Sequence, residues 1–171
     1  MTPTHLRYPI LITNLVKRIK DEHPDKSVGK TIIQKMIYLL SLEGIGDSHY
    51  SLHHYGPYSP QIADEIDYAE FNDFLSVKWI DEQGYFIDVG NKFDLKEHHL
   101  ETDVEQKVKI IVDKYSNYNA KDLSFIATAR YLQTNFNIND PKEIVLKIHL
   151  MKPKYSELEI KNVLEEAEVI S

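Results

Sequence analysis

Apolar residues recur at helical spacing through the first third of the chain. Residues 9–22 carry one apolar stripe at positions i, i+3, i+4 and i+7, formed by Ile12, Leu15, Val16 and Ile19. The same period predicts two more helices, over residues 31–43 and residues 60–74. We therefore expect three amphipathic helices in the N-terminal part of the protein.

The second predicted helix has two contrasting faces. Its core face is apolar and contains Ile33, Met36, Ile37 and Leu40. The pattern assigns a mixed set of side chains to the other face, namely Thr31, Gln34, Lys35, Tyr38 and Ser41. We therefore expect Gln34, Lys35 and Tyr38 to point away from the core.

Short strands are predicted on both sides of the third helix. Residues 50–55 are rich in aromatic side chains and predict an extended stretch that enters a bend at the following Gly-Pro pair. After the third helix, residues 77–81 and 85–89 predict a hairpin, because Gly84 suits a turn position with positive φ. The order helix, helix, short strand, helix, hairpin is compatible with a winged-helix arrangement.

The second half of the chain is helical throughout by pattern. Capping residues mark the helix starts: Thr102 and Ser156 each open a capping box, and Asn119 and Asp140 precede two further helices. We expect a mainly α fold of the α+β class. It would have a winged-helix-like part with a small hairpin in residues 1–100 and a helical bundle in residues 101–171, packed together as one compact unit.

Composition narrows the class of protein. The chain has 171 residues and no cysteine, which excludes disulfides and thiolate metal sites and favours a reducing compartment. Residues 2–21 mix apolar and charged positions unlike a signal peptide, and no segment approaches the ~20 apolar residues of a membrane span. The sequence predicts a cytoplasmic protein with no membrane partner.

The net charge of −7 is concentrated in the middle of the chain, where residues 59–100 hold three basic and ten acidic groups. The outer face of the third predicted helix contains only acids among its charged residues: Asp64, Glu65, Asp67, Glu70 and Asp73. Such a surface repels a phosphate polymer and favours a basic protein partner.

The sequence offers only weak candidates for nucleotide-binding, metal-binding or catalytic residues. Gly29-Lys30-Thr31 resembles the end of a phosphate-binding loop, but Pro24 occupies the position that requires the first glycine, so a helix start is the better interpretation. In an extended stretch His49 and His53 start about 13 Å apart, too far to bind one ion. The chain also lacks a G-x-S-x-G motif. We therefore predict no catalytic residue, no metal site and no cofactor.

The segment Tyr55-Gly56-Pro57-Tyr58-Ser59 is the most unusual part of the sequence. A structural interpretation explains each residue type, since Gly and Pro set a bend and Ser59 caps the next helix. A functional interpretation is an exposed, tyrosine-rich contact surface. Both interpretations can hold together.

This segment and the second helix also carry a family resemblance. Residues 30–40, with Gln34, Lys35 and Tyr38, followed by residues 55–62, resemble the YwgA-like proteins and the broader Panacea antitoxin domain. Residues 127–132 and 152–160 look like the C-terminal half of those proteins, although Ile33 replaces a more usual leucine. The resemblance implies a helical protein without a cofactor, related to antitoxins that pair with unrelated toxins. The family-like positions are the candidate partner-binding residues: Gln34, Lys35, Tyr38, Tyr55, Gly56, Pro57, Tyr58 and Ser59.

Three functions follow as hypotheses. The first is an antitoxin-like or adaptor-like module that binds a protein, basic or toxin-like in character. The second is a winged-helix transcriptional regulator that binds DNA, which the acidic third helix disfavours. The third is an enzyme of unrecognised type, which would need a pocket that holds His53 or His54 beside a carboxylate. The sequence does not determine the oligomeric state.

Overall fold

The computed structural model describes residues 7–171, so the first six residues of the predicted N-terminal part lie outside the description. The described chain is mainly helical with a smaller β component, which confirms the α+β class. Its helices are α1 (Arg7–Glu22), α2 (Lys30–Leu42), α3 (Pro60–Phe71), α4 (Thr102–Tyr115), α5 (Ala120–Phe136), α6 (Pro141–Met151) and α7 (Glu157–Glu166). Its strands are β1 (Ser51–His53), β2 (Gly56–Tyr58), β3 (Leu75–Ile80) and β4 (Gly84–Val89).

The expected bend at Gly56 and Pro57 is wrong, because these residues form strand β2. Strands β1 and β2 pair as a short antiparallel hairpin, and the chain reverses at His54 and Tyr55 instead. Proline is tolerated here because strand β2 has a neighbour on one side only. The turn therefore presents Tyr55 at its tip.

The second hairpin agrees with the prediction, although β3 begins at Leu75, two residues earlier than expected. Gly84 takes a φ of +91°, as its turn position requires. This hairpin follows α3 in the order of the predicted winged-helix-like arrangement, with the β1–β2 hairpin inserted between α2 and α3.

Three of the four helix caps predicted in the second half of the chain are present. The side chains of Asn119, Asp140 and Ser156 accept hydrogen bonds from the first turns of α5, α6 and α7. The cap at Thr102 is wrong, because α4 begins at Thr102 itself and is preceded by Glu101 without a side-chain cap. The Ser156 box is also incomplete, since the Glu159 carboxylate pairs with a lysine of α5.

Helix α2 lies at the centre of the molecule and contacts α1, α3, α4 and α5. The predicted assignment of Gln34, Lys35 and Tyr38 to an outward face is therefore wrong, because all three are buried. Buried apolar residues from both halves of the chain form one continuous cluster. No helix within residues 7–171 is both long enough and apolar enough to cross a bilayer.

Candidate functional site

The turn between β1 and β2 is anchored through its backbone carbonyls. The Lys152 ammonium, just after α6, donates to the carbonyl of His54. Ser124 of α5 donates its hydroxyl to the Tyr55 carbonyl at 2.7 Å, and Lys35 of α2 donates to the Pro57 carbonyl at 2.8 Å. Donors from three separate helical segments thus fix one short turn, and this arrangement holds Tyr55 in a defined position.

Gln34 joins α2 to the beginning of α3. Its side-chain amide donates to the Ser59 carbonyl at 2.9 Å and accepts from the Ser59 amide at 3.1 Å. Ser59 is buried and caps α3 by accepting from the amide of Ile62. Gln34 therefore satisfies both backbone groups of a residue that has no access to water.

Gly56 is required where β2 approaches α5. Its φ of +97° is costly for any residue with a side chain, and an added Cβ would lie 2.7 Å from the Thr128 Oγ1 atom. The backbone of β2 therefore packs directly on α5, an approach that only glycine allows.

Tyr38 packs inside the protein against other tyrosines. Its ring centroid lies 5.0 Å from that of Tyr50 in an edge-on arrangement, and 6.1 Å from that of Tyr131. Neither the Tyr38 nor the Tyr50 hydroxyl has a hydrogen-bond partner in the described part of the chain. The pKa of both hydroxyls is raised, mainly by burial, so both hydroxyls remain protonated.

The eight family-like positions thus come together, but mostly inside the protein. Six of them form the internal support of the turn: Gln34, Lys35, Tyr38, Gly56, Pro57 and Ser59. Tyr58 is half-buried beside the His53 ring, whereas Tyr55 exposes 62% of its surface. Tyr55 is therefore the member of the set that is best placed to contact another molecule.

Two adjoining cavities lie on either side of Tyr55. We call the first, of 340 Å³, the inner pocket, and it is lined by Thr31, His54, Tyr55, Ala120, Lys121, Ser124, Phe125, Lys152, Pro153, Lys154 and Tyr155. The outer cleft, of 740 Å³, is lined by residues that include Lys26, Lys30, Tyr55, Trp79 and Tyr85. Because both cavities share Tyr55, Thr31 and Ala120, they form one continuous groove, the Tyr55 groove.

Lysines and aromatic rings dominate this groove. Five lysines line it, and neither cavity has an Asp or Glu in its described lining. Carboxylates outside the lining pair with two of these lysines: Asp67 with Lys30, and both Asp122 and Glu159 with Lys121. The other three are Lys26, Lys152 and Lys154, and none has a carboxylate within 4.0 Å among the described residues. The groove therefore carries an excess of positive charge.

Lys35 and Lys152, the two lysines that anchor the turn, are strongly desolvated. Burial lowers the pKa of Lys35 to about 8, with a smaller contribution from the charge of Lys152. Burial likewise lowers the pKa of Lys152 to about 8, and the neighbouring charge of Lys154 adds to the effect. Near neutral pH, both ammonium groups are therefore costly to keep charged.

The acids of α3 remain on the outside, as the sequence indicated. Asp64, Asp67 and Glu70 are exposed, and Asp67 reaches Lys30 at 3.3 Å across the edge of the outer cleft. The described residues contain no group of three potential metal ligands from His, Asp and Glu. His54 borders the inner pocket, but no carboxylate lines that pocket beside it.

Sequence reasoning missed the residues that complete the groove, including Lys121, Lys152, Lys154 and Trp79. Lys152 and Lys154 lie in one of the family-like segments, yet no period or spacing connects them with Tyr55, which is almost a hundred positions away. A lysine directly before Pro153 at the end of a helix was the available signal. Comparison with models of protein families and with curated protein sequences finds no match to this chain.

Proposed function

We propose that this protein is a protein-binding module of the antitoxin or adaptor type, and that its Tyr55 groove holds an acidic, extended segment of the partner. The observation that carries the proposal is the composition of the groove, with five lysines, exposed aromatic rings and no carboxylate in its described lining. Charge complementarity of this kind steers association and selects the partner.

The aromatic residues of the groove have the properties of binding hot spots. Tyr55, Trp79 and Tyr85 expose 62%, 60% and 40% of their surfaces. The rings of Trp79 and Tyr85 pack edge to face with centroids 4.8 Å apart, and the Tyr55 turn is fixed by buried donors. Rigid tyrosine and tryptophan side chains lose little entropy on binding and are enriched among energetically dominant contacts.

This proposal reverses the partner charge that the sequence suggested for the tyrosine-rich segment. The sequence placed the tyrosines beside the acidic face of α3 and favoured a basic partner. The exposed aromatic rings instead line a cleft with Lys26 and Lys30, and therefore favour acidic groups. Binding of a basic protein to the face formed by Asp64 and Glu70 stays a separate prediction.

A single-stranded nucleic acid is the second candidate, because lysines interleaved with aromatic rings also suit stacked bases. Two features favour the protein segment. Carboxylates already pair with Lys30 and Lys121, which reduces the charge available to a phosphate at every nucleotide. The chain as a whole also carries a net charge of −7, which opposes a long polyanion beyond the groove.

Fluorescence anisotropy with two labelled polyanions tests the proposal. The probes are a random copolymer of glutamate and tyrosine and a twelve-nucleotide oligouridylate, both at about 150 mM salt. We expect the copolymer to bind and Tyr55→Ala to weaken its binding at least about tenfold, as for a hot-spot residue. Tyr68→Ala is the matched control, because Tyr68 is partly exposed on α3 outside the groove, and it should leave binding unchanged.

Two results would contradict the proposal. Tighter binding of the oligouridylate than of the copolymer would make nucleic acid the better interpretation. Equal copolymer affinity for wild type, Tyr55→Ala and Tyr68→Ala would show that the groove is not the binding site.

A further inference from the structure

The inner pocket combines apolar walls with a buried cation. The rings of Phe125 and Tyr155 pack edge to face at 5.2 Å and form part of the wall. Lys152, at the C-terminal end of α6, exposes only 5% of its surface and uses one of its donors on the His54 carbonyl. An ammonium has three donors, so this group retains capacity for a ligand.

Three positive features converge on this pocket. Lys152 and Lys154 line it, and neither has a carboxylate within 4.0 Å in the described part of the chain. The first residues of α5, Ala120 and Lys121, line it as well, and the N-terminus of a helix carries partial positive charge. Buried charge without a counter-ion is unfavourable, so an anion would be stabilised here.

We propose that the inner pocket is a binding site for an organic carboxylate that carries an aromatic or aliphatic group close to its acid. The acid pairs with Lys152 and Lys154, and the apolar group packs against Phe125 and Tyr155. A volume of 340 Å³ accommodates a molecule of about the size of a bicyclic aromatic acid. The apolar walls disfavour inorganic phosphate, which would require polar partners on all sides.

This site goes beyond the proposed protein-binding function and does not depend on it. The same chemistry occurs in a free aromatic acid and at the C-terminal residue of a peptide that ends in phenylalanine. Because the pocket shares Tyr55 with the outer cleft, a bound acid would also occupy one end of the Tyr55 groove.

Isothermal titration calorimetry with 2-naphthoate and its neutral analogue 2-naphthamide tests the proposal. We expect the acid to bind at least about tenfold more tightly than the amide, since they differ mainly in charge. Binding of the acid should weaken between pH 7 and pH 9.5 as Lys152 loses its proton, whereas binding of the amide should not change.

Variants locate the site. Lys152→Met should abolish the preference for the acid, and Lys154→Met should reduce it while the contact of Lys152 with His54 remains. If Lys152→Met does not fold, Lys154→Met alone supplies the test. Lys161→Met is the control, because Lys161 is exposed on α7 and does not line the pocket. Magnetisation transfer between the naphthyl ring and the Phe125 and Tyr155 rings should appear in the wild-type complex.

Titrations with peptides distinguish a free acid from the C-terminal carboxylate of a chain. If N-acetyl-Gly-Gly-Phe binds more tightly as the acid than as the amide, the pocket accepts chain ends. Binding of 2-naphthoate without binding of either peptide assigns the pocket to a free acid. Equal affinity for naphthoate and naphthamide would overturn the proposal. An unchanged affinity of Lys154→Met for the acid would also overturn it, and so would acid binding that gives no transfer to Phe125 and Tyr155. Naphthoate binding without copolymer binding would retain this site and reject only the proposed function.

Discussion

Lys35 is a charged residue in the interior of the protein, with 2% of its surface exposed. Its ammonium donates to the Pro57 carbonyl but has no carboxylate within 4.0 Å among the described residues. A fall of its pKa from 10.5 to about 8 corresponds to a cost on the order of 3 kcal/mol at pH 7. The same ammonium holds the backbone next to the Tyr55 turn, and Tyr55 is the exposed member of the family-like set.

The titration of Lys35 makes the stability of the protein depend on pH. Between pH 8 and 10.5 the unfolded chain binds more protons at Lys35 than the folded chain, so the free energy of unfolding rises with pH. We expect Lys35 to contribute a rise of about 2 kcal/mol between pH 7 and 9.5, and Lys35→Met to lack it. Urea unfolding over this range measures the difference.

Lys161→Met provides the comparison for this experiment, because Lys161 is exposed on α7. The free energy of unfolding of this variant should depend on pH as that of the wild type does. Parallel curves for wild type and Lys35→Met would mean that Lys35 is not desolvated in the folded protein.

At the scale of elements, the decisive contact is that between strand β2 and helix α5. The strand lies so close to the helix that Gly56 has no room for a side chain beside Thr128. The Thr128 hydroxyl is itself bonded to the Ser124 carbonyl at 2.6 Å, so it cannot rotate away without losing a buried hydrogen bond. This close approach places the Tyr55 turn where His54 and Tyr55 line the inner pocket.

Alanine substitutions at two glycines separate the effect of this contact on the free energy of unfolding from the effect of backbone strain. Gly56→Ala should lower the free energy of unfolding by about 3 kcal/mol or more, because it adds a steric clash to the cost of positive φ. Gly84→Ala should cost only about 1 kcal/mol, since its φ of +91° is similar but no atom lies within 4 Å of the added Cβ. Chemical denaturation of both variants measures this difference. Equal losses would show that β2 does not pack tightly on α5.

The elements themselves were largely predictable from sequence, and the exceptions have a physical cause. The apolar stripe of α1 and the caps at Asn119 and Asp140 depend on local spacing, so the sequence alone indicated them correctly. Strand β2 was missed because Gly56 and Pro57 have local preferences for a bend. Packing on α5 and pairing with β1 override those preferences.

At the scale of the whole molecule, the two predicted parts share one interior. Helix α2 packs on α4 and α5, and β2 packs on α5, so elements before and after residue 100 complete the same hydrophobic cluster. Lys35 and Lys152, from opposite parts, hold the same turn. The division at residue 100 describes the sequence pattern, whereas the core crosses it.

We therefore expect the protein to unfold in a single cooperative transition. In differential scanning calorimetry, the ratio of the van't Hoff enthalpy to the calorimetric enthalpy should be close to one, as for other small two-state domains. As a check, Leu40→Ala and Leu132→Ala, one in each part, should lower the midpoint of the same transition. Two resolved transitions, each shifted by only one of the variants, would show that the parts are independent domains.

The sequence by itself determined the helical class, the N-terminal stripe, most helix starts and the acidic face of α3, because each depends on neighbours within a few positions. It also singled out Gln34, Lys35 and the Tyr55 segment, but it could not distinguish the buried residues that support the turn from the exposed residues. Only the tertiary structure placed α2 between helices on several sides, so that Lys35 became buried and Tyr55 remained exposed. The Tyr55 groove likewise exists only after folding, because Trp79, Tyr55 and Lys152 are distant in sequence and come to line one groove through packing of the whole chain.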